Sequence, residues 1–217
     1  MRTVLPVLGL VVACAVQAAS VAPAPPAVRR ALHAASVQLE PMGCAGVLAE
    51  ERDIVLTALH CIDDPTGPVG VRFTTGWTRT ARVAATDPVA DQAVLVLDAP
   101  VPIEPLLVVH RRQIPGTVLY FEGNPKEPRF QGARLDRIGR CESLPRLPNA
   151  LFTGIEGRPG DSGAPLVDVA ARVVGLVHGG PHCHIATPAD SLVRLLERVL
   201  ERDGPRLTEA TPPPAGA

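Results

Sequence analysis

Near the end of its folded part the chain reads Gly160-Asp161-Ser162-Gly163-Ala164-Pro165-Leu166, a glycine-framed serine between two short apolar runs. A serine hydroxyl becomes a useful nucleophile only where a base takes its proton and fixed donors stabilise the oxyanion that forms. Gly160 and Gly163 suit that task, because a backbone without side chains can turn sharply and approach a substrate carbonyl closely. We therefore expect the N–H groups of Gly160 and Ser162 to form an oxyanion hole. Taken by itself, the stretch is also ordinary turn chemistry, and Ala164 replaces the second glycine of the α/β-hydrolase elbow.

Two upstream segments add a histidine and an aspartate. The run Val55-Leu56-Thr57-Ala58-Leu59-His60-Cys61 ends on the histidine, and Asp91-Gln92-Ala93-Val94-Leu95-Val96-Leu97 begins with the aspartate. The order His, Asp, Ser differs from that of subtilisins and α/β-hydrolases. The three segments together resemble the Thr-Ala-Ala-His-Cys, Asp-x-Ala-Leu-Leu and Gly-Asp-Ser-Gly-Gly-Pro signatures of trypsin-like serine proteases of the exported bacterial type. The departures are Leu59 for an alanine and Ala164 for a glycine, and the resemblance covers residues 35 to 202.

The resemblance implies an endopeptidase with a catalytic triad. Ser162 would attack a peptide carbonyl, His60 would take and return the proton, and Asp91 would orient His60. No cofactor and no metal is expected, and the substrate would be a polypeptide. Two other functions stay open: a catalytically silent or latent binding module on the same fold, and an esterase or amidase acting on small acyl substrates.

Short apolar segments separated by turn residues run from about Ser36 to Thr187, which predicts an all-β chain. The resemblance refines this to two six-stranded antiparallel β-barrels, at about residues 35–110 and 111–187, with the site in the cleft between them. Leucines and valines then recur at three- and four-residue spacing, which predicts a C-terminal α-helix over residues 188–203 with Thr187 as its N-cap. We expect this helix to pack on the second barrel.

The two ends of the chain are predicted to lie outside the 35–203 protease domain. Residues 1–18 combine Arg2 with a short apolar core and small residues, the pattern of an export signal. Residues 19–34 are predicted to be an Ala/Pro-rich linker that does not pack, and residues 204–217 a disordered tail. We therefore expect a periplasmic or secreted protein; the alternative is a lipoprotein anchored through Cys14.

The composition limits the possible partners. The 217 residues carry a formal net charge of -1 and are 46% hydrophobic. Such a balance argues against a nucleic-acid partner, and after the signal no run is long and apolar enough to span a membrane. We expect a monomer.

Four cysteines follow the export signal, an even number that favours disulfides in an exported chain. In the family that the chain resembles, a bridge at the places of Cys44 and Cys61 holds the loop that carries the histidine. This would leave Cys141 and Cys183 to pair with each other.

A histidine cluster near the C-terminal helix could instead bind zinc, because His178, His182, Cys183 and His184 lie within seven residues. Consecutive side chains on an extended strand point to opposite faces, however. A bridged cysteine beside exposed or pocket-lining histidines is the preferred interpretation.

The resemblance also suggests where substrate specificity is decided. Glu156 falls where the family places the residue at the base of the pocket, which would favour an Arg or Lys side chain before the scissile bond. His178 lies on the strand that lines the pocket, so it is the second candidate. Arg158 could neutralise Glu156. If Asp161 is buried and charged it needs a cationic partner, which the sequence does not identify.

Overall fold

The computed structural model describes residues 21–109, 111–179 and 184–203. The fold contains two closed six-stranded antiparallel barrels, as the resemblance implied, and a C-terminal helix, as the spacing of apolar residues predicted. The first barrel consists of β1 Ser36–Glu40, β2 Ala45–Leu48, β3 Ile54–Ala58, β4 Val69–Phe73, β5 Thr78–Asp87 and β6 Gln92–Leu97. The second consists of β7 Val118–Glu122, β8 Phe130–Gly139, β9 Ala150–Thr153, β10 Pro165–Val167, β11 Val173–Gly179 and β12 His184–Pro188. The helices are α1 Pro26–Ala35 and α2 Ala189–Asp203.

In the first barrel the strand order is β1-β2-β3-β6-β5-β4. Every residue of β3 and of β6 is buried, and the two strands pair antiparallel with Ala58 opposite Gln92. Because of this register, the residues that follow β3 lie beside the residue that precedes β6. The barrel therefore brings together two chain segments that are about thirty positions apart in the sequence.

In the second barrel β10 lies between β7 and β11. The register sets Pro165 opposite Leu176, so the residues before β10 run beside the end of β11. The N–H of Gly163 donates a hydrogen bond to the carbonyl oxygen of Val177 at 2.8 Å. The N–H of Val177 in turn donates to the carbonyl oxygen of Ala164 at 2.8 Å. The serine loop is thus an extension of this strand pair.

The prediction that residues 19–34 do not pack is wrong for their second half, where α1 forms. Pro26 stands at the start of the helix, where its missing N–H costs nothing. Val28, Leu32 and Ala35 follow at four- and three-residue spacing and are buried on one face. The high proline and alanine content of this segment concealed that helical pattern.

One prediction about α2 is wrong and a second is incomplete. The helix begins at Ala189, and Thr187 belongs to β12, where its Oγ1 accepts a hydrogen bond from Gln92 Nε2 at 2.8 Å. Moreover, α2 contacts β5 and β6 of the first barrel as well as β11 of the second. Ser191 Oγ donates to Gln92 Oε1 at 2.7 Å, so the helix ties the two barrels together.

The remaining features concern the segment between the barrels, the two ends of the chain and the possibility of a membrane span. Between the two barrels the chain forms isolated bridges, Ala49 with Leu106 and Val108 with Val173. The predicted export signal, the lipid attachment at Cys14 and the predicted tail at 204–217 lie outside the described residues. Within the described ranges, none of the helices has the length and apolar character needed to cross a bilayer.

Candidate active site

His60 and Asp91 meet where β3 ends and β6 begins. A single 3-10 turn, Leu59–Cys61, follows β3 and carries His60. The N–H of Leu59 donates to the backbone carbonyl of Asp91 at 3.0 Å, and the N–H of His60 donates to Asp91 Oδ1 at 2.9 Å. The ring nitrogen Nδ1 of His60 lies 2.6 Å from Asp91 Oδ2. Backbone and ring of His60 are therefore both held by one carboxylate.

Asp91 has a second imidazole partner. His178, near the end of β11, places its Nδ1 2.6 Å from the same Oδ2 of Asp91. The two imidazole rings stand perpendicular, with their centroids 5.3 Å apart. His178 was expected on the pocket wall; it does line the cleft, and its Nδ1 lies within hydrogen-bond distance of Asp91.

The environment of Asp91 decides its charge. Burial alone would raise the pKa of the Asp91 carboxyl, but hydrogen bonds from His178 and His60, together with the charge that His60 can carry, lower that pKa to about 2. An ionised carboxylate can only accept hydrogen bonds, so each imidazole donates from Nδ1–H. In its neutral form, His60 then has an unprotonated Nε2 that can accept a proton.

Ser162 lies between the two histidine-bearing segments. Its carbonyl accepts the N–H of Ala45 at 2.9 Å and lies 3.7 Å from Cys61 Sγ, next to His60. Its hydroxyl lies against Gly179, next to His178, where an added Cβ would come within 2.9 Å of Oγ. Among the described residues, neither imidazole is hydrogen-bonded to this hydroxyl.

Gly163 fixes the serine loop against the first barrel. Its φ of +83° is in the left-handed region that favours glycine, and an added Cβ would overlap the carbonyl oxygen of Ala45 and the hydroxyl of Thr57. Thr57 Oγ1 donates to that same carbonyl at 2.8 Å. The serine and the histidine-bearing strand can approach this closely only because position 163 has no side chain.

The buried carboxylate of Asp161 is neutralised by Arg129. The Asp161 side chain is only 2% exposed, and its Oδ2 lies 2.7 Å from Arg129 Nη2. The backbone N–H of Asn124 donates to Oδ1 at 2.7 Å, and that of Arg158 donates to Oδ2 at 2.6 Å. This partner could not be identified from the sequence, because no motif distinguishes Arg129 from the chain's other arginines.

The segment before the serine forms a tight turn. The N–H of Asp161 donates to the carbonyl of Arg158 at 3.0 Å, Pro159 is the second residue of the turn, and Gly160 has a φ of +91°. This combination is that of a type II turn, which needs glycine at its third position. Among the described residues, the N–H groups of Gly160 and Ser162 have no hydrogen-bond partner.

The cleft beside Ser162 has mainly apolar walls. It is lined by Thr153, Ile155, Gly157, Leu166, Val177, His178, Gly179, Ile185 and Ala186. Glu156 is exposed, and it is missing from the described lining residues, whereas its neighbour Ile155 is buried. The prediction that Glu156 lies at the base of the pocket is therefore wrong: Ile155 and Gly157, on either side of it, line the cleft, whereas Glu156 is exposed to solvent.

The cysteines and the metal-binding candidates complete the site. Cys44 and Cys61 are joined by a disulfide, as the resemblance implied. The predicted partner of Cys141, Cys183, lies outside the described residues, as do His182 and the side chain of His184. Within the described ranges, two groups could hold a metal ion: Cys44, His60 and Cys61, whose sulfurs are already bonded to each other, and His60, Asp91 and His178.

Comparisons with known proteins agree with this architecture. The family model described as a trypsin-like peptidase domain matches residues 44–176. A solved structure of a variant of the HtrA-type protease AlgW with a tripeptide is similar with a TM-score of 0.68 and 18% identity, over 81% of this chain and 64% of that one. For Deg5 the TM-score is 0.63 and the identity 20%, over 77% of this chain and 90% of that one.

A structure of AlgW with a decapeptide is similar with a TM-score of 0.67 and 16% identity, over 80% of this chain and 67% of that one. At such identities these similarities show the fold alone, and this chain spans 64% of the first chain named above. The search of curated proteins finds no relative of this chain.

Proposed function

Because the chain belongs to the trypsin-like peptidase family, we propose that it is a serine endopeptidase whose triad is Ser162, His60 and Asp91. The observation that carries the proposal is the double contact of Asp91 with the backbone N–H and the Nδ1 of His60. This contact holds the ring in the tautomer whose Nε2 is free to act as a base. The family match supports the protease class, and the geometry supports these three residues.

In the proposed reaction, Ser162 Oγ attacks the carbonyl carbon of a peptide bond while His60 Nε2 takes its proton. The C–N bond then breaks as His60 returns the proton to the leaving amine, which leaves an acyl group on Ser162. A water molecule, deprotonated by His60, hydrolyses that ester and restores the enzyme. Asp91 stays ionised throughout and stabilises the imidazolium.

The oxyanion of each tetrahedral intermediate would be held by the N–H groups of Gly160 and Ser162. The type II turn supports this assignment, because it fixes the direction of the Pro159–Gly160 peptide and leaves the Gly160 N–H without a partner among the described residues. The Arg129 contact with Asp161 supports it further. This ion pair holds the loop in place.

We also propose that the enzyme acts in an oxidising compartment after export. The Cys44–Cys61 disulfide supports this, because such bonds persist mainly outside the cytosol. The disulfide closes the loop from Cys44 to Cys61, and Cys61 directly follows His60, so the bridge also helps to hold the proposed base in position.

The test is covalent labelling of the purified, disulfide-bonded protein with a fluorophosphonate probe. We expect the native protein to be labelled at Ser162, and the labelling rate of Ser162→Ala and His60→Ala to fall by about a thousandfold or more. His33→Ala is the matched control, because His33 Nδ1 also lies 2.6 Å from a carboxylate, that of Glu122 on β7, and neither residue belongs to the proposed triad. This variant is expected to be labelled like the native protein.

A silent or latent binding module is the second candidate function. It is favoured by one observation: within the described residues, the Ser162 hydroxyl has no hydrogen bond to His60, while Asp91 is shared with His178. Catalytic hydrogen bonds are often long before substrate binds, so the triad remains the better interpretation. A folded, disulfide-bonded native protein that stays unlabelled would favour the binding module.

A further inference from the structure

Two imidazoles and one carboxylate converge at the end of the cleft. The Nδ1 atoms of His60 and His178 each lie 2.6 Å from Asp91 Oδ2, and the three residues offer ligand atoms that all lie within 4.8 Å of one another. We propose that His60, Asp91 and His178 form an inhibitory binding site for a divalent zinc ion. Zinc binding is a property separate from the proposed peptidase activity, whereas the inhibition rests on that activity.

The ligand set is suitable for zinc. Two imidazole nitrogens and one carboxylate oxygen, with a fourth position left to water, are a common set of three protein ligands for Zn²⁺. Metal–ligand distances of about 2.0–2.1 Å in a tetrahedral site separate neighbouring ligand atoms by about 3.3 Å, so the imidazoles must retract slightly from Asp91. The His60 side chain is 41% exposed and can make this movement, whereas those of His178 and Asp91 are 12% and 10% exposed.

The Asp91 carboxylate accepts hydrogen bonds from both imidazoles at one oxygen, Oδ2, so the three proposed ligands converge on one point. The charge also argues for a metal: when both imidazoles are neutral, the cluster has a net negative charge in a half-buried position. A divalent zinc ion would compensate that charge. The competing cluster of Cys44, His60 and Cys61 offers no thiolate, because its sulfurs form the disulfide.

Zinc at this site would stop catalysis because it changes which ring nitrogen of His60 carries the proton. Coordination through Nδ1 replaces the hydrogen bond to Asp91 and requires the ring proton to move, by exchange with water, from Nδ1 to Nε2. A protonated Nε2 donates and cannot accept the proton of Ser162. Asp91 would be occupied by the metal at the same time, so it could no longer orient the base.

The test is a zinc titration of the chelator-treated full chain in competition with a chromophoric zinc indicator. Wild type and Ser162→Ala are expected to bind one Zn²⁺ equally well, because Ser162 is not a ligand. His178→Asn keeps an N–H that can reach Asp91 but removes the imidazole. Since changes outside the ligand shell already weaken metal sites by about 10–100-fold, this variant should bind about 100-fold more weakly or worse.

Two further variants and one spectrum keep the test decisive. His60→Ala should lose zinc as His178→Asn does, and the double variant His182→Ala/His184→Ala should bind like wild type. Cobalt bound in place of zinc should show the visible absorption of a tetrahedral site, without the near-ultraviolet band of a thiolate ligand. No binding by wild type, unchanged affinity in folded His178→Asn, or a thiolate band would overturn the proposal.

The inhibition is measured separately from binding. Zinc should slow fluorophosphonate labelling of wild type, a chelator should restore it, and His178→Asn should be labelled at the same rate with and without zinc. Equal inhibition of both proteins would overturn the inhibitory role. If wild type is never labelled even without zinc, the peptidase proposal fails while the zinc-binding result stands.

Discussion

Asp161 is the residue next to the proposed nucleophile, and its side chain is almost completely buried. Its two oxygens accept two backbone N–H groups and one guanidinium, and the loop is shaped around them. A buried carboxylate that loses its cation is strongly unfavourable, because the remaining charge cannot recover its hydration. The position of Ser162 therefore depends on Arg129, which approaches from another part of the barrel.

We expect Arg129→Met to lower the free energy of unfolding by about 3–5 kcal/mol, the usual result of removing one partner of a buried ion pair. Urea unfolding measures this, and fluorophosphonate labelling of the folded fraction reports the state of the serine loop. Arg158→Met is the matched control, because its side chain is exposed and only its backbone serves Asp161. An equal loss of unfolding free energy in both variants would contradict the assignment of Arg129 as the partner of Asp161. The assignment would also fail if the double variant Arg129→Met/Asp161→Asn were no more stable than Arg129→Met.

These residues also show how far sequence patterns can locate a site. His60, Asp91 and Ser162 can be proposed from the sequence because each stands in a local motif of several residues. Arg129 was missed because its contact with Asp161 spans 32 positions and depends on how the start of β8 meets the serine loop. Glu156 was misplaced because counting along the chain fixes a position but does not fix the direction of a side chain.

At the scale of elements, periodicity predicted better than composition did. The strands and α2 follow from the alternation and spacing of apolar residues, and the structure contains them. The prediction failed for α1, where the content of alanine and proline was given more weight than the spacing of Val28, Leu32 and Ala35. The packing side of α2 depends on long-range contacts of Gln92, which no local pattern contains.

The burial of α1 makes it an integral part of the fold, and this can be measured. Leu32 is completely buried, so Leu32→Ala should lower the free energy of unfolding by about 2–5 kcal/mol through lost contacts and the cavity left behind. Arg30→Ala, an exposed position on the same helix, should have little effect. Denaturant unfolding compares the two variants with wild type. A loss near zero for Leu32→Ala would restore the linker interpretation.

At the scale of the whole molecule, the proposed site exists only where the two barrels are held together. His60 and Asp91 come from the first barrel, whereas Ser162 and His178 come from the second. Two of the contacts that join them are α2 with Gln92, and the serine loop, where Ala45 donates to the Ser162 carbonyl. The second connection lies directly at the proposed nucleophile, so a small separation of the barrels there should affect catalysis before it affects folding.

This prediction can be tested at Gly163, with Gly116 as the reference position. Gly163 and Gly116 have similar φ values, +83° and +89°, but an added Cβ would overlap Ala45 and Thr57 at the first and would meet nothing within 4 Å at the second. Both alanine variants should therefore lose about 1–2 kcal/mol for the left-handed backbone. Gly163→Ala should lose about 1–3 kcal/mol more, because the overlap must be relieved by separating the barrels.

The same displacement should slow fluorophosphonate labelling of Gly163→Ala by about a hundredfold, since a misplacement of about 1 Å is enough for such an effect. Gly116→Ala should be labelled like wild type. Labelling rates are measured under conditions where both variants are fully folded, so stability and positioning are separated. If the two variants lose the same stability and the same labelling rate, contact between the barrels at position 163 does not position Ser162. A selective loss in Gly163→Ala would mean that close packing of the two barrels, more than the serine loop by itself, positions the nucleophile.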